Sequence, residues 1–552
     1  MRRLPYIEKG DEGNMEFGLR SQNKSFLFII LFIGGIGVFL LLLFLRLFQL
    51  TIVKGAYYRK LAEENRTREI VIEAKRGTLL DRKGIVLVQN LSAVSSDTEN
   101  REKSIRSYTD GEAFAHLVGY RQLADKVDFD RDPCLTKLKS GDKTGKKGAE
   151  QLFECQLRGK PGKKLVEIDA RGRYLNTLSV VPPTEGQALK LAVDSVLQKK
   201  AYELIKGKRA AVVALKPNTG EVLILAASPS FNPQSFEDGA SADITRSFTD
   251  ETKPMFNRAS EGGYPPGSTF KLVVATGAME TKKIDESTII EDTGSIKAGP
   301  ISFGNWYYLQ YGKTEGPVDL VMAIRRSNDI YFYEVGEKLG PEAIKEWAEK
   351  FGYERQTGIG ISEIAGSIPS PYWKEDVLKE KWYLGDTYNL SIGQGYVVST
   401  PLQVAQATAV FAQNGNLCRP LMLRAGSTAD PDIVQYATPD CHSLHISQKT
   451  LDVIREGMKE ACSTGGTGWP LFDFTVGSKE KGDERKIQTA CKTGTAESQS
   501  ASGVPHAWFA AFAPFENPEI VLTVLVEEAG QGSDIGGPIA KEIFKTYFER
   551  NE

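Results

Sequence analysis

At 552 residues the chain is too long for one ordinary domain, so two or three are expected. Its 69 basic residues against 71 acidic ones leave a net charge of −2, which gives no case for nucleic acid as a partner. Four histidines and the lack of any Cys-x-x-Cys pair argue against a metal site.

Residues 1–24 are polar and mixed in charge and read as a short tail. From Phe26 to Leu45 there is no charged residue, and the run matches the roughly 20 apolar residues needed to cross a bilayer. A transmembrane helix is therefore predicted over 25–48. No small-residue cleavage site follows it, so it reads as an uncleaved anchor. Arg2, Arg3, Lys9, Arg20 and Lys24 precede the span, while Arg46, Lys54, Arg59 and Lys60 follow it, so basic residues alone orient it weakly.

Beyond the span, Tyr57 to Arg66 is helix-like and Glu69 to Ile72 is β-branched enough for a strand. Arg76-Gly77-Thr78-Leu79-Leu80-Asp81-Arg82-Lys83-Gly84 predicts a strand, an Asp-Arg pair able to form a salt bridge, and a turn at Lys83-Gly84. Asp125 to Lys147 is charged and poor in apolar residues, which predicts a surface loop. Val180-Val181-Pro182-Pro183 reads as a linker. Cys134 with Cys155, and Cys418 with Cys441, can be disulfides outside the cytoplasm, though the sequence leaves the pairing open.

From Gln187 the pattern is that of a mixed α/β domain. A strand is predicted at Leu189 to Val193, a helix at Ser195 to Lys206, and a hairpin from Ala210–Leu215 through Lys216-Pro217-Asn218-Thr219-Gly220 to Glu221–Ala226. The last strands are Lys486 to Cys491, Trp508 to Phe512 and Ile520 to Val526, followed by a helix within Ser533 to Tyr547. Cys491 reads as a buried strand residue rather than a nucleophile. An antiparallel sheet covered by helices is the expected core, in an α+β fold.

Tyr264-Pro265-Pro266-Gly267-Ser268-Thr269-Phe270-Lys271 carries the chemistry. Its prolines and glycine forbid a helix before Ser268, and apolar residues at helical spacing follow. Ser268 and Lys271 then lie one turn apart on the same face. A serine hydroxyl needs a base to become a nucleophile, and a lysine serves when burial lowers its pKa. Downstream lie Ser327-Asn328-Asp329 and Lys492-Thr493-Gly494-Thr495, the latter expected at the end of a strand. Ionised Asp329 accepts hydrogen bonds but donates none, so it suits Lys271 or a substrate N–H rather than a carbonyl. Lys492 and the threonine hydroxyls suit a substrate carboxylate, and Gly494 lets a substrate backbone approach the strand edge. The N–H groups of Thr495 and Ser268 would form an oxyanion hole.

Ser-x-x-Lys, Ser-x-Asn-type and Lys-Thr-Gly motifs in this order are the set of active-site-serine penicillin-binding proteins and class A β-lactamases. With Asn257-Arg258-Ala259 before it, the first motif resembles that of the class B, monofunctional D,D-transpeptidases. Ile330-Tyr331-Phe332-Tyr333 after Asp329 resembles the elongation-type penicillin-binding protein 2 branch. Arg76 to Gly84, His116-Leu117-Val118-Gly119-Tyr120, Gly148-Ala149-Glu150-Gln151 and Leu157 to Gly162 resemble phrases of the class B pedestal. Ser391-Ile392-Gly393-Gln394-Gly395, Gly466-Thr467-Gly468 and His506-Ala507-Trp508-Phe509 also fit the family.

The resemblance implies a tail (1–24), a transmembrane helix (25–48), an elongated, mostly-β, dimerisation-like pedestal (49–183) and a penicillin-binding transpeptidase domain (184–552). It implies Ser268 as nucleophile, Lys271 as its base, Ser327 as proton carrier between Lys271, Lys492 and the amine, and no metal or organic cofactor. It implies peptidoglycan stem peptides as D-Ala-D-Ala donor and amine acceptor, β-lactams as acylating mimics, and a polytopic glycosyltransferase of the shape, elongation, division and sporulation family as partner. The N-terminus is then cytoplasmic and the catalytic domain extracytoplasmic, because the substrate lies outside. Three alternatives stay open: a septal transpeptidase of division, a β-lactam sensor or hydrolase, and a scaffold with a dead site. His506 as a general acid is disfavoured, since Lys271 and Ser327 already fill the proton-transfer roles.

Overall fold

The computed structural model describes residues 22–94, 102–169, 171–477, 482, 484–498, 500 and 502–550. Most of the predicted tail therefore lies outside the described residues. The chain divides into two compact units, one holding the residues up to Ile72 together with Gly162–Pro182, the other Glu73–Pro161 together with the chain from Pro183.

In the first unit, Phe26–Val53 is the one stretch among the described residues long and apolar enough to cross a membrane. Its 28 residues span about 42 Å at the helical rise, against a hydrocarbon core of about 30 Å. A helix at Gly55–Arg66 leads into the strand Thr67–Ile72, as expected. That strand pairs antiparallel with Gly162–Ile168, which pairs in turn with Tyr174–Val181. The predicted linker at Val180-Val181 is thus the end of a strand; both residues are β-branched, and only Pro182, which has no N–H, stops the ladder.

In the second unit, the ladder Glu102–Tyr108, Val86–Val94, Leu79–Leu80 ends on a parallel pairing with Leu189–Lys190. The predicted strand 189–193 is only those two residues long. Asp81 does not pair with Arg82. It accepts from the N–H groups of Lys83 and Ile85 and from Ser195 Oγ, while Arg82 faces Glu221 at 3.4 Å. Arg76 binds Glu150 and Glu154 at 2.6 Å each, and Arg106 binds Glu150 at 2.8 Å, all buried. Burial alone would raise the Glu150 pKa, but Arg106 and Arg76 outweigh it and hold it near 2.

The predicted loop from Asp125 to Lys147 contains a capped helix, Lys126–Arg131, and a strand, Lys143–Gly145. Asp125 and Asp128 close a reciprocal capping box, and Cys134 is bridged to Cys155. Local capping and a covalent tie replace the apolar contacts this segment lacks.

Helix α1 (Ser195–Ile205) precedes the hairpin of β1 (Ala210–Leu215) and β2 (Val222–Ser228). The helices that build the site follow: α2 (Lys271–Glu280), α3 (Leu320–Arg326), α4 (Asp329–Leu339), α5 (Pro401–Ala412) and α6 (Gln448–Ala461). Strands β3 (Ala490–Ala496), β4 (His506–Ala513) and β5 (Ile520–Val526) and helix α7 (Gly532–Arg550) close the domain. The sheet runs β2-β1-β5-β4-β3, all antiparallel, with Val213 opposite Leu225 and Thr523, and Thr493 opposite Phe509.

Both faces of this sheet are buried, so its strands are apolar at nearly every position rather than alternating. The period of two persists in what each residue touches. Phe509 and Ala511 join a core with α1 and α7, while Trp508, Ala510 and Phe512 join one with α2. Lys492 lies on the second face, in step with Ala490 and Ala496. The predicted strand Lys486–Cys491 is displaced: Arg485–Lys486 pairs with Thr475–Val476, and the sheet strand begins at Ala490. The Lys-Thr-Gly-Thr run therefore fills the second half of a strand that ends one residue later, at Ala496.

Candidate active site

Ser268 sits in a single 3-10 turn, Gly267–Thr269, immediately before α2. Pro265 and Pro266 prevent an earlier start, and Gly267 turns the chain with φ +55°. Thr269 Oγ1 donates to Pro266 O at 2.8 Å and locks the turn. Helix α2 is buried on all sides, so Lys271, its first residue, is 0% exposed while Ser268 remains partly accessible.

Ser327 and Asp329 belong to the junction of α3 and α4. Ser327 ends α3 with φ +54°, a strained choice for a non-glycine residue. Asn328 caps α4 by accepting from Tyr331 N at 2.9 Å. Asp329 is then the first residue of α4 and turns toward α2.

These elements meet around two buried ammonium groups. Lys271 Nζ donates to Asp329 Oδ1 at 2.6 Å and to Ser327 O at 2.8 Å. Lys492 Nζ donates to Ser327 Oγ at 2.7 Å and to Thr493 O at 2.9 Å. Ser327 is thus shared, its carbonyl by one lysine and its hydroxyl by the other. Burial pushes the Lys271 pKa below the ordinary lysine value, with Asp329 pulling the other way. Burial and then the charge of Lys271 hold Lys492 well below that value. Among the described residues the Ser268 hydroxyl is not a hydrogen-bond partner of Lys271, two of whose three N–H groups go to Asp329 and Ser327.

The strand β3 stands beside the Ser268 turn. A Cβ on Gly494 would lie 3.0 Å from Trp508 Cβ and 3.3 Å from both Pro266 O and Thr269 Cγ2. The room that Gly494 leaves is therefore taken by the protein's own Ser268 turn, not by a substrate backbone. Trp508 Nε1 donates to Pro265 O at 2.9 Å and fastens the same contact.

Several participants carried no role in the sequence. Thr467 Oγ1 meets Thr493 Oγ1 at 2.8 Å. Gln394 donates to Thr495 O at 3.1 Å and accepts from Glu497 N at 3.2 Å. Asn305 Oδ1 accepts from Asp329 N at 3.2 Å, and Trp306 N donates to Asp329 Oδ2 at 3.0 Å. Thr467 and Gln394 sat in phrases already noted; Asn305 and Trp306 had no local sign. Cys491 is fully buried in β3, as expected, and is bridged to Cys462, a pairing the sequence did not suggest. The Cys418–Cys441 bridge also forms. His506 stands apart from the lysines: its Nδ1 accepts from Glu528 N at 3.2 Å and its ring meets the Tyr264 ring edge-on.

The class defined by this sheet and constellation agrees with comparison to known proteins. The model of the penicillin binding protein transpeptidase domain matches residues 210–548, and that of the penicillin-binding protein dimerisation domain matches 96–191. The chain belongs to the penicillin-binding protein transpeptidase family.

Within it, the chain matches the class B, elongation-type penicillin-binding protein 2 branch. It is 30% identical to the peptidoglycan D,D-transpeptidase MrdA of Haemophilus influenzae, across 99% of this chain and 94% of the relative. It is 35% identical to MrdA of Acinetobacter baumannii, across 80% and 65%. Its structure superposes on PBP2 of Pseudomonas aeruginosa in complex with WCK 5153 with a TM-score of 0.72, 29% identity, and coverage of 87% and 96%. For PBP2 of Helicobacter pylori in complex with MreC the TM-score is 0.74 at 27% identity, with coverage of 87% and 99%.

Proposed function

We propose that this protein is a membrane-anchored peptidoglycan D,D-transpeptidase of cell elongation, with Ser268 as its nucleophile. The observation that carries the reading is the pair of buried lysines with depressed pKa, Lys271 and Lys492, converging on Ser327, with Lys271 one turn from Ser268.

In the proposed reaction, neutral Lys271 takes the Ser268 proton as Oγ attacks the penultimate D-Ala carbonyl. The Thr495 and Ser268 N–H groups stabilise the oxyanion. The C–N bond breaks, and the leaving D-Ala amine receives a proton from Lys492 through the Ser327 hydroxyl. An amine of a second stem then attacks the Ser268 ester and returns a proton to Lys492 along the same path, and the Ser268 Oγ leaves with the proton held on Lys271. Asp329 orients Lys271, and Lys492, Thr493 and Thr495 receive the substrate carboxylate. β-Lactams acylate Ser268 by the first half of this path. Every proton lost is placed on a group already in the site, so these steps need no further catalyst.

We further propose the four-part division 1–24, 25–48, 49–183 and 184–552, a cytoplasmic N-terminus, and an extracytoplasmic catalytic domain. Disulfides at three places favour an oxidising compartment for it. A relative is known in complex with MreC, and a peptidoglycan synthase complex that coordinates polymerization and crosslinking is also similar to this chain, at 25% identity. By analogy the partner here is a polytopic glycosyltransferase of the shape, elongation, division and sporulation family.

The test is the purified protein with a D-Ala-D-Ala stem peptide and an amine acceptor, followed by mass spectrometry. Crosslinked product with release of D-Ala supports the reading. Hydrolysis to the shortened stem alone, at any acceptor concentration, contradicts it.

A further inference from the structure

The carboxyl group of Asp292 accepts four hydrogen bonds from four places in the chain. Oδ1 takes Gly294 N at 2.9 Å. Oδ2 takes Asn305 Nδ2 at 2.8 Å, Asn328 Nδ2 at 2.9 Å and Glu315 N at 3.0 Å. Asp292, Asn305 and Asn328 are all buried, at 2%, 0% and 1% exposed. Among the described residues no lysine or arginine pairs with Asp292.

Two of the four donors are side-chain amides, and this has a directional effect. A carboxamide donates at one end and accepts at the other, so an acceptor that holds Nδ2 also decides where Oδ1 points. Asn305 thereby aims Oδ1 at Asp329 N, and Asn328 aims Oδ1 at Tyr331 N, which starts α4. Trp306, next to Asn305, brings its N–H to Asp329 Oδ2. Asp329 is gripped at its backbone by Asn305 and at one oxygen by Trp306. Its other oxygen is left for Lys271.

We propose that Asp292 is a positioning residue for acylation. It touches no reacting atom; through Asn305, Trp306 and Asn328 it sets the place of Asp329 and Ser327, and so the direction of the Lys271 and Lys492 amines. This rests on the assignment of Ser268 and Lys271 above. A capping role alone would make Asp292 matter for folding and not for the rate of proton transfer.

The experiment measures penicillin acylation of Asp292→Asn and Asp292→Ala, separating the binding constant from the acylation rate constant. Asn keeps the volume and most acceptor contacts but sets an NH2 against a donor; Ala removes all four bonds. Expected is a fall in the acylation rate constant of about tenfold for Asn and more for Ala, by loss of charge-assisted bonds, with penicillin binding unchanged within about twofold. If the alanine variant does not fold, the asparagine variant carries the test. In an Asp329→Ala background the Asp292→Asn effect should shrink clearly, to what the Asn328–Ser327 branch alone carries, since the branch through Asn305 and Trp306 runs through Asp329. An unchanged rate constant, a loss confined to binding, or a full effect in the Asp329→Ala background overturns the proposal. A label that persists in Ser268→Ala would instead overturn the assignment it rests on.

Discussion

Lys492 Nζ lies 2.7 Å from Ser327 Oγ, joining residues 165 positions apart in a buried contact. Helices α3 and α4 and the sheet strand β3 must each be in place for it to form. It puts a lysine of lowered pKa on a hydroxyl whose own backbone carbonyl holds Lys271. The hydroxyl can therefore pass a proton between Lys492 and a substrate amine, while the carbonyl only anchors Lys271.

Replacing that amine separates function from stability. Lys492→Met keeps the length of the side chain, removes the donor to Ser327, and relieves the burial of an ionisable group. Acylation should fall by at least about a hundredfold, roughly 2.7 kcal/mol in barrier, while the melting temperature holds or rises. Fluorescent-penicillin labelling and a thermal melt check both. Labelling at the wild-type rate would remove Lys492 from the mechanism.

Asp329 has a pH signature. Burial lowers the Lys271 pKa below 10.5, and the charge of Asp329 partly restores it. Removing that charge in Asp329→Asn therefore lowers the Lys271 pKa further, and Lys492, the other amine at the site, remains. Acylation rises with pH as Lys271 loses its proton, so the rising limb should move to lower pH. Its plateau should fall about tenfold, because an amide cannot accept from both Lys271 and Trp306 N in the same way. Stopped-flow acylation across pH reads both. A limb that stays or moves to higher pH contradicts the account.

The buried cluster of Glu150 with Arg76 and Arg106 predicts an acid-sensitive stability. Glu150 is held near 2, below its ordinary 4.5, so its stabilisation is present above pH 4.5 and is lost as pH falls through about 2. Glu150→Gln should cost about 3 kcal/mol at neutral pH, and the gap to wild type should narrow below pH 4.5. Urea denaturation at several pH values measures it. A gap that widens on acidification would mean the cluster is not held by that charge.

The Cys462–Cys491 bridge predicts a coupled loss. It ties the segment carrying Thr467 to the strand carrying Thr493, whose hydroxyls meet at 2.8 Å. Closing a separation of 29 residues contributes about 3.6 kcal/mol in the chain-entropy picture. The Cys462→Ala, Cys491→Ala pair should lose that stability and slow acylation as well. Denaturation curves and labelling rates would show it; slowed acylation with no loss of stability would contradict the tie.

The parts of the fold visible in the sequence were those with local causes. Proline and glycine before Ser268, with apolar residues after it, place the turn and helix without tertiary help. The hairpin of β1 and β2 announces itself by β-branched runs about a Pro-Asn-Thr-Gly turn. The start of β3 was misplaced because buried Lys492 and Thr493 break the apolar run that marks a strand, although their partners Ser327 and Thr467 satisfy them. Asp292 and Asn305 were invisible for a related reason: the partners that matter, Asn328 and Asp329, lie 36 and 24 residues away. Asp329 was read as a partner for Lys271, and they meet at 2.6 Å. That Ser327 would serve the two lysines with different atoms needed the strained turn at its backbone.

The most direct measurement is the site and fate of the penicillin adduct. The protein is labelled with penicillin, freed of excess drug, and followed by intact-mass spectrometry and peptide mapping. The account predicts one adduct, on Ser268, absent in Ser268→Ala, and decaying over hours, because among the described residues no carboxylate is hydrogen-bonded to the Ser268 side chain to activate water at the ester. An adduct on another residue, or turnover within seconds, would contradict it.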